Sequence, residues 1–513
     1  MSLLPLRRPL FSRTTYLILF ACYIGIFLNL AFYRQVFPLL PVNSLHNWLV
    51  FLSMPIVAIS VMNIITTLAS FLKLDRVVIS LFILLSASAQ YFIWNFGVVI
   101  DRSMITNILD TTPAESFALL SGMRLLNIAV SALLIILVAA LFYKDYASVF
   151  RNNKELVKSL SPSNSIVALN SWYAHNRMDN LPLVKIGEDA RQKPVMHSGP
   201  RKNLTIVVLG ETSRAGNFSL GGYDRETNPR LQQDDVVYFP KTTSCGTATA
   251  VSVPCMFSNM PRAHYDEELA HHQEGVLDIL QRAGVQVLWN DNDGGCKGAC
   301  DRVPHQNVTD LHLSGQCIDG ECYDEVLFHN LDSYIDNLKQ DGIIVLHTIG
   351  SHGPTYYNRY PAEFKKFTPT CDTNEIQSCT QQQLTNTYDN TILYVDYVVD
   401  KAIKLLQSKQ DKFTTSLVYL SDHGESLGED GVYLHGLPYS IAPDTQKHVP
   451  MLLWLSPDYQ QRYGVSSQCL QQQAKTKDYS QDNLFSTLLG LLGVSTHEYQ
   501  AADDILTPCR EAG

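Results

Sequence analysis

A chain of 513 residues is too long for one small domain, and its formal charge of −10 is unevenly divided. Through residue 160 there are 12 Lys and Arg against 6 Asp and Glu; the remainder carries 27 against 43. An acidic region of that size is a poor partner for nucleic acid, so nucleic-acid binding is excluded from the function classes that follow.

The first 160 residues are dominated by apolar runs. Residues 14–32, 49–72, 77–100 and 125–143 each approach the roughly 20 apolar residues that a helix needs to cross a bilayer. Buried core helices are the alternative, but four runs with charges only at their edges are hard to bury in water. The first run is too long for the apolar core of a cleaved signal, and no small-x-small site follows it. Phe20 is bulky where a lipoprotein box takes a small residue, so Cys22 reads as a lone buried thiol. A membrane helical domain is therefore expected over 1–145, an interfacial connector over 146–201 and an α/β domain over 202–513. The connector is polar and broken by Pro162, Pro182, Pro194 and Pro200, and Trp172 and Tyr173 suit a membrane interface.

From Lys202 onward, short apolar runs alternate with helical patterns. The expected strands are 204–209, 285–289, 343–347, 416–420 and 451–455. The expected helices are 274–282, 324–338, 384–406 and 481–492. Strands apolar on both faces predict a central, mostly parallel sheet. Ligands bind such sheets outside the carboxyl ends of the strands, where Glu211, His352 and the pair Asp422-His423 fall.

Ten of the 11 cysteines follow residue 240. Five local disulfides are expected: Cys245–Cys255, Cys296–Cys300, Cys317–Cys322, Cys371–Cys379 and Cys469–Cys509. A structural zinc cluster is the rival, but no Cys-x-x-Cys is present and the pairs sit in separate loops. Disulfides place the domain in a bacterial periplasm or another extracytoplasmic space.

Glu211, Asp422 and His423 form a mixed N/O ligand set suited to zinc. Thr249 lies in a turn that opens a helix; bound to zinc, its hydroxyl becomes a nucleophile. Helix N-capping by Thr247 or Thr249 is the structural alternative. His352 and His435 sit in glycine-flanked loops, where either can bind a second zinc, donate a proton to a leaving alkoxide, or serve only the fold. Lys297 can contact a phosphate or simply be a solvated loop lysine.

Four segments carry a resemblance over nearly the whole chain: Gly210-Glu-Thr-Ser-Arg214, Ser244-Cys-Gly-Thr-Ala-Thr-Ala-Val-Ser-Val-Pro-Cys-Met-Phe-Ser258, Ser351-His-Gly-Pro-Thr-Tyr-Tyr357 and Ser421-Asp-His-Gly-Glu-Ser-Leu-Gly-Glu429. They resemble the lipid A phosphoethanolamine transferases of the alkaline phosphatase superfamily, which include the mobile colistin-resistance enzymes. The resemblance implies an α-helical transmembrane domain followed by a sulfatase-like α/β domain. It implies zinc held by Glu211, Thr249, Asp422 and His423, with Thr249 taking phosphoethanolamine from phosphatidylethanolamine and passing it to a lipid A phosphate. It implies that His352, His435 and Lys297 contact the transferred group or an accessory zinc. A monomer in the inner membrane, with its catalytic domain in the periplasm, is expected.

Alternatives stay open on the acceptor: a core-sugar phosphoethanolamine transferase, or a phosphoglycerol transferase. The non-enzymatic alternative is an inactive membrane-bound lipid or partner binder. The family typically has five spans, whereas four runs are detectable here. Arg7, Arg8 and Arg13 put the N-terminus in the cytoplasm, and four spans return the chain there. Lys144, Arg151, Lys154 and Lys158 agree with that return, while the cysteine pairs demand the opposite side.

Overall fold

The computed structural model describes residues 13–37, 45–71, 75–96, 181–193, 201–318 and 320–510. Among them, 13–96 belong to one compact unit and 181–510 to another.

In the first unit, α1 (Arg13–Ile26) continues through a 3₁₀ turn into α2 (Leu30–Val36), followed by α3 (Leu45–Phe71) and α4 (Asp75–Phe96). Thr15–Arg34 and Val78–Asn95 are long and apolar enough to cross a membrane, with mean hydropathies of 2.0 and 1.5. A shorter apolar stretch, Phe51–Thr67, lies in α3, which carries Pro55. Tyr16, Leu17, Phe20 and Ile24 pack on Met62, Ile79, Phe82 and Ile83. A side chain at Gly25 would meet Ile59 at 2.8 Å, so the first and third helices approach closely there. Leu19, Phe27, Leu52, Ile56, Leu81 and Leu84 face outward. A helix apolar on both its packed and its outward face suits lipid rather than water. Cys22 is a free, half-buried thiol. The fourth expected run, 125–143, and the interfacial Trp172 and Tyr173 lie outside the described residues.

The second unit is built on an eight-stranded sheet. Its strands are β1 (Lys202–Gly210), β2 (Val237–Thr243), β3 (Gln286–Asp291), β4 (His305–Asn307), β5 (Gly342–His347), β6 (Phe413–Ser421), β7 (His448–Leu455) and β8 (Tyr479–Ser480). Their spatial order is β8-β2-β7-β6-β1-β5-β3-β4. The block β6-β1-β5-β3-β4 is parallel throughout, and β7 runs antiparallel to both β6 and β2. All five expected strands are present, and four of them are in the parallel block. The short β4 and β8 and the half-exposed β2 were not expected, because none shows the continuous apolar run of a buried strand.

Side chains alternate across β1. Leu204, Ile206 and Val208 meet Tyr388, Ile392, Val395 and Val399 of a long helix on one face. Val207 and Leu209 join Ile279, Leu280, Leu484 and Leu488 on the other. This period of two is what buries both faces of a parallel sheet between helices. Further helices include α5 (Thr249–Met256), α6 (Val276–Arg282), α7 (Leu331–Asp336), α8 (Gln381–Ser408) and α9 (Asn483–Leu491). A capping box between Thr380 and Gln383 starts α8. The helix expected over 324–338 is a correction: Asp324–Phe328 is a 3₁₀ turn, and α7 begins only after Asn330, whose φ of 56° breaks the helical path. All five expected disulfides form. Arg191–Gln192 pairs antiparallel to Val494–Ser495 of this unit.

Candidate metal and phosphoryl-transfer site

Strand register assembles the site. Gly210 closes β1 opposite Ser421, which closes β6, so Glu211 and Asp422 emerge side by side. On the other flank Leu209 pairs with His347, and His347 with Asp291, so four neighbouring strands end at one place. Glu211, Asp422 and His423 are all fully buried. His423 Nε2 lies 3.4 Å from Glu211 Oε1 and 3.2 Å from Asp422 Oδ2. With its Nδ1 donating to the Gly424 carbonyl at 2.9 Å, His423 turns the Nε2 lone pair toward the two carboxylates. Asp422 Oδ1 accepts from the Thr212 and His423 amides, while its buried Oδ2 has no hydrogen bond.

Burial, with Asp422 beside it, raises the Glu211 carboxyl above the ordinary carboxylate range. Burial likewise pushes Asp422 up to about 6, and burial with His435 nearby pushes His423 down to about 4. Two dry carboxylates and an imidazole lone pair converging with an orphaned oxygen form a set that a divalent cation satisfies. One ligand atom from each of the three lies within 4.8 Å of the others.

Thr249 is the first residue of α5, and Thr249 Oγ1 donates to Glu211 Oε2 at 3.1 Å and lies 3.4 Å from His423 Nε2. Neither threonine of the turn caps the helix: Ala248 is the N-cap, and Thr247 donates to the Leu437 carbonyl. The Cys245–Cys255 bridge ties the turn to the far end of α5. Gln481 couples this turn to the metal-type cluster. Its Oε1 accepts from Cys245 N at 2.6 Å, and its Nε2 donates to the carbonyls of Ser421 and Asp422.

His352 and His435 stand next to this cluster. Each offers a nitrogen within 4.8 Å of a Glu211 oxygen and of one another. His435 rests on His423, with ring centroids 4.3 Å apart, and its Nδ1 donates to Glu425 Oε2 at 2.8 Å. Glu425 is itself fully buried and also accepts from the Tyr356 hydroxyl. Burial, followed by nearby cationic groups that include Lys297, drives the His352 imidazole well below its usual range. The His352 loop is held from behind. Arg359 Nε donates to the His352 carbonyl, and the buried Asp324 accepts from the amides of Ile349 and Gly350. At Gly350, where φ is 50°, a Cβ would stand 2.5 Å from the Glu211 carbonyl oxygen, so only glycine fits. Lys297 Nζ reaches the Gly294 carbonyl at 3.4 Å.

All seven expected site residues thus gather around one strand-end cleft. Three groups went unforeseen. Glu425 sits inside a motif already singled out, but its role as the anchor of His435 needs the fold. His347 ends an expected strand, so the strand-end rule could have found it. Gln481 carries no sequence signal, being indistinguishable from a helix-start residue.

Residues 203–494 match the family model described as Sulfatase, and residues 58–127 and 122–177 match that of Phosphoethanolamine transferase EptA/EptB. The chain is 69% identical to Phosphoethanolamine transferase EptA of Salmonella typhimurium over 98% of each chain. It is 36% identical to Phosphatidylethanolamine transferase Mcr-1 of Escherichia coli, over 83% of this chain and 86% of that one. The solved integral membrane protein lipooligosaccharide phosphoethanolamine transferase A from Neisseria meningitidis superposes with a TM-score of 0.88 at 41% identity, covering 98% of this chain and 100% of its own. Similarity that runs through both the apolar helices and the α/β unit makes this chain a member of the EptA family of phosphoethanolamine transferases.

Proposed function

We propose that the chain moves phosphoethanolamine from phosphatidylethanolamine to a lipid A phosphate through a covalent phosphothreonine at Thr249. The observation that carries this reading is the position of Thr249 Oγ1, within 3.4 Å of both Glu211 and His423 at the mouth of a dry ligand cluster. Glu211, Asp422, His423 and Thr249 are the residues that would hold zinc, which when bound supplies charge for the phosphoryl oxygens and acidifies a coordinated hydroxyl.

In the first step Thr249 Oγ1 passes its proton to Glu211 Oε2, to which it already donates at 3.1 Å, and attacks phosphorus, while the bond from phosphorus to the glycerol oxygen breaks in line. His435, whose ring Glu425 fixes, protonates the departing diacylglycerol oxygen, and His352, which burial keeps neutral, contacts the transferred group beside it. Lys297 adds positive charge beside the phosphoryl group. In the second step a lipid A phosphate oxygen attacks the same phosphorus and Thr249 departs. A covalent intermediate lets two bulky lipids use one cleft in turn. The product carries an added ammonium, which lowers surface negative charge and weakens the attraction of cationic peptides such as polymyxins.

This reading assigns 1–145 to the inner membrane, 146–201 to a connector along it, and 202–513 to a periplasmic, monomeric catalytic domain. Five disulfides in the α/β unit support an oxidising compartment. Mass spectrometry of lipid A from cells expressing the chain tests the whole reading. One added phosphoethanolamine is expected, absent with Thr249→Ala; modification of a core sugar or transfer of phosphoglycerol instead would replace it.

A further inference from the structure

Beside Glu211, on the flank away from Asp422, lies a second polar cluster that the transfer chemistry above does not use. It is formed by Asp291 at the end of β3, His347 at the end of β5, and Asp293. Asp291 spends all its acceptors locally. Its Oδ2 accepts Trp289 Nε1–H at 2.9 Å and His347 Nδ1–H at 2.8 Å, and its Oδ1 accepts the amides of Asp293 and Gly295 at 3.0 and 2.7 Å. The carboxylate therefore fixes the His347 tautomer, so Nε2 presents a lone pair. That Nε2 is fully buried and makes no hydrogen bond. It points at Asp293 Oδ2, 3.6 Å away.

Atoms of Glu211, Asp293 and His347 lie within 4.8 Å of one another. A nitrogen seated among three such corners can stand about 2.8 Å from each, which is N–H···acceptor distance. All three corners are acceptors, and two are carboxylates. A primary ammonium has three N–H donors and one positive charge, and matches this triangle donor for acceptor. The reach also fits. From Thr249 Oγ1 through phosphorus to an ethanolamine nitrogen there are five single bonds, spanning about 6 Å. Glu211, 3.1 Å from that Oγ1, is the shared wall between the phosphoryl group and the triangle.

We propose that Asp293 and His347, with Glu211 as the third corner, bind the ammonium of the transferred headgroup, and that Asp291 is the positioning residue for His347. The inference rests on the reading of Thr249 as the covalent carrier. It accounts for selection of an amine-bearing donor over one ending in hydroxyls: a phosphoglycerol headgroup brings no positive charge to the two carboxylates and fewer donors to the three corners.

The test uses the full-length, zinc-loaded protein in detergent micelles. The donors are phosphatidylethanolamine, phosphatidylcholine and phosphatidylglycerol of one acyl composition. The readouts are diacylglycerol release (kcat and KM), the mass of the adduct on the Thr249 peptide, and bound zinc. The wild-type protein should favour phosphatidylethanolamine over phosphatidylcholine, whose three methyl groups remove every donor. Asp293→Ala should raise KM for phosphatidylethanolamine about tenfold to a hundredfold, and Asp293→Asn less, since the amide retains one acceptor. The preference over phosphatidylcholine should collapse toward unity, with bound zinc unchanged. An Asp293→Ala protein that keeps its headgroup preference overturns the ammonium site. Loss of bound zinc in that variant also overturns it, because the triangle would then be holding metal. Absence of any Thr249 adduct in the wild-type protein overturns the carrier reading and this site together, and is distinguished by being visible before any substitution is made.

Discussion

The inner and outer halves of the cleft are held in different ways. Glu211, Asp422 and His423 follow directly from adjacent parallel strands paired through Gly210 and Ser421, so sheet hydrogen bonds set their spacing. His352, His435 and Lys297 stand on loops, and their positions depend on partners elsewhere: Arg359 and Asp324 for His352, Glu425 for His435, and the Cys296–Cys300 turn for Lys297. A strand end tolerates little adjustment, which suits a ligand set whose geometry must be ready before substrate arrives. A loop held by a few hydrogen bonds can adjust to the two successive lipid substrates of the proposed reaction. The contrast teaches that damage to the inner half should abolish chemistry, whereas damage to the outer half should reduce it by degrees.

The largest expected effect sharpens the first half of that statement. Thr249→Ala removes the proposed nucleophile and should lower diacylglycerol release by about 10⁴-fold or more, with an unchanged melting curve. Substantial turnover in that variant would mean another group accepts the phosphoryl. Metal removal comes next. Exhaustive chelation should stop turnover, and added zinc should restore it. Asp422→Asn should need more than about 100-fold higher free zinc for half-restoration; activity in a verified metal-free sample would separate the cluster from its assigned purpose.

Glu425→Gln probes the outer half. Both carboxylate oxygens accept, from Tyr356 and His435, so an amide necessarily turns its NH₂ toward one donor. A loss of about 10- to 100-fold in kcat is expected, with zinc retained; a Thr249-like collapse would make the two halves equivalent. The paired change Cys245→Ser with Cys255→Ser opens a loop of sequence separation 10. It should lower stability by about 2–3 kcal/mol, read as a fall in Tm, and reduce activity further because Gln481 loses a fixed Cys245 amide. Lys297→Ala is the smallest, an expected rise in donor KM of about fivefold at most, since its ammonium is partly solvated.

Much of this contrast was legible beforehand, for a physical reason. Buried parallel strands need continuous apolar runs, so β1, β3, β5, β6 and β7 announce themselves, and the polar residue that ends each run is conspicuous. Glu211 and Asp422-His423 were found that way. Four of the five cysteine pairs were legible because bridges between close partners need little of the fold; Cys469 and Cys509, 40 residues apart, were paired only as the remaining two. Less legible were elements whose signal is weak or conditional. Strand β2 alternates buried and exposed positions and carries Pro240. The helical pattern over 324–338 fails at Asn330, where a left-handed backbone outweighs the apolar periodicity.

By itself the sequence determined the apolar character of the first unit, the α/β class of the second, the close cysteine pairs, and the placing of Glu211 and Asp422-His423 at strand ends. Each of these follows from local composition or from a run of side chains read along one strand; the readings of Thr249, His352, His435 and Lys297 came with the family resemblance. Tertiary structure alone decided which strands are neighbours, and hence that Glu211 stands between Asp422 on one side and the Asp291–His347 pair on the other. It also decided that Gln481, 236 residues after Cys245, spans from the nucleophile turn to Asp422. Such links join positions far apart in the chain, and no local pattern can encode them, because each depends on the strand order and register of the closed sheet.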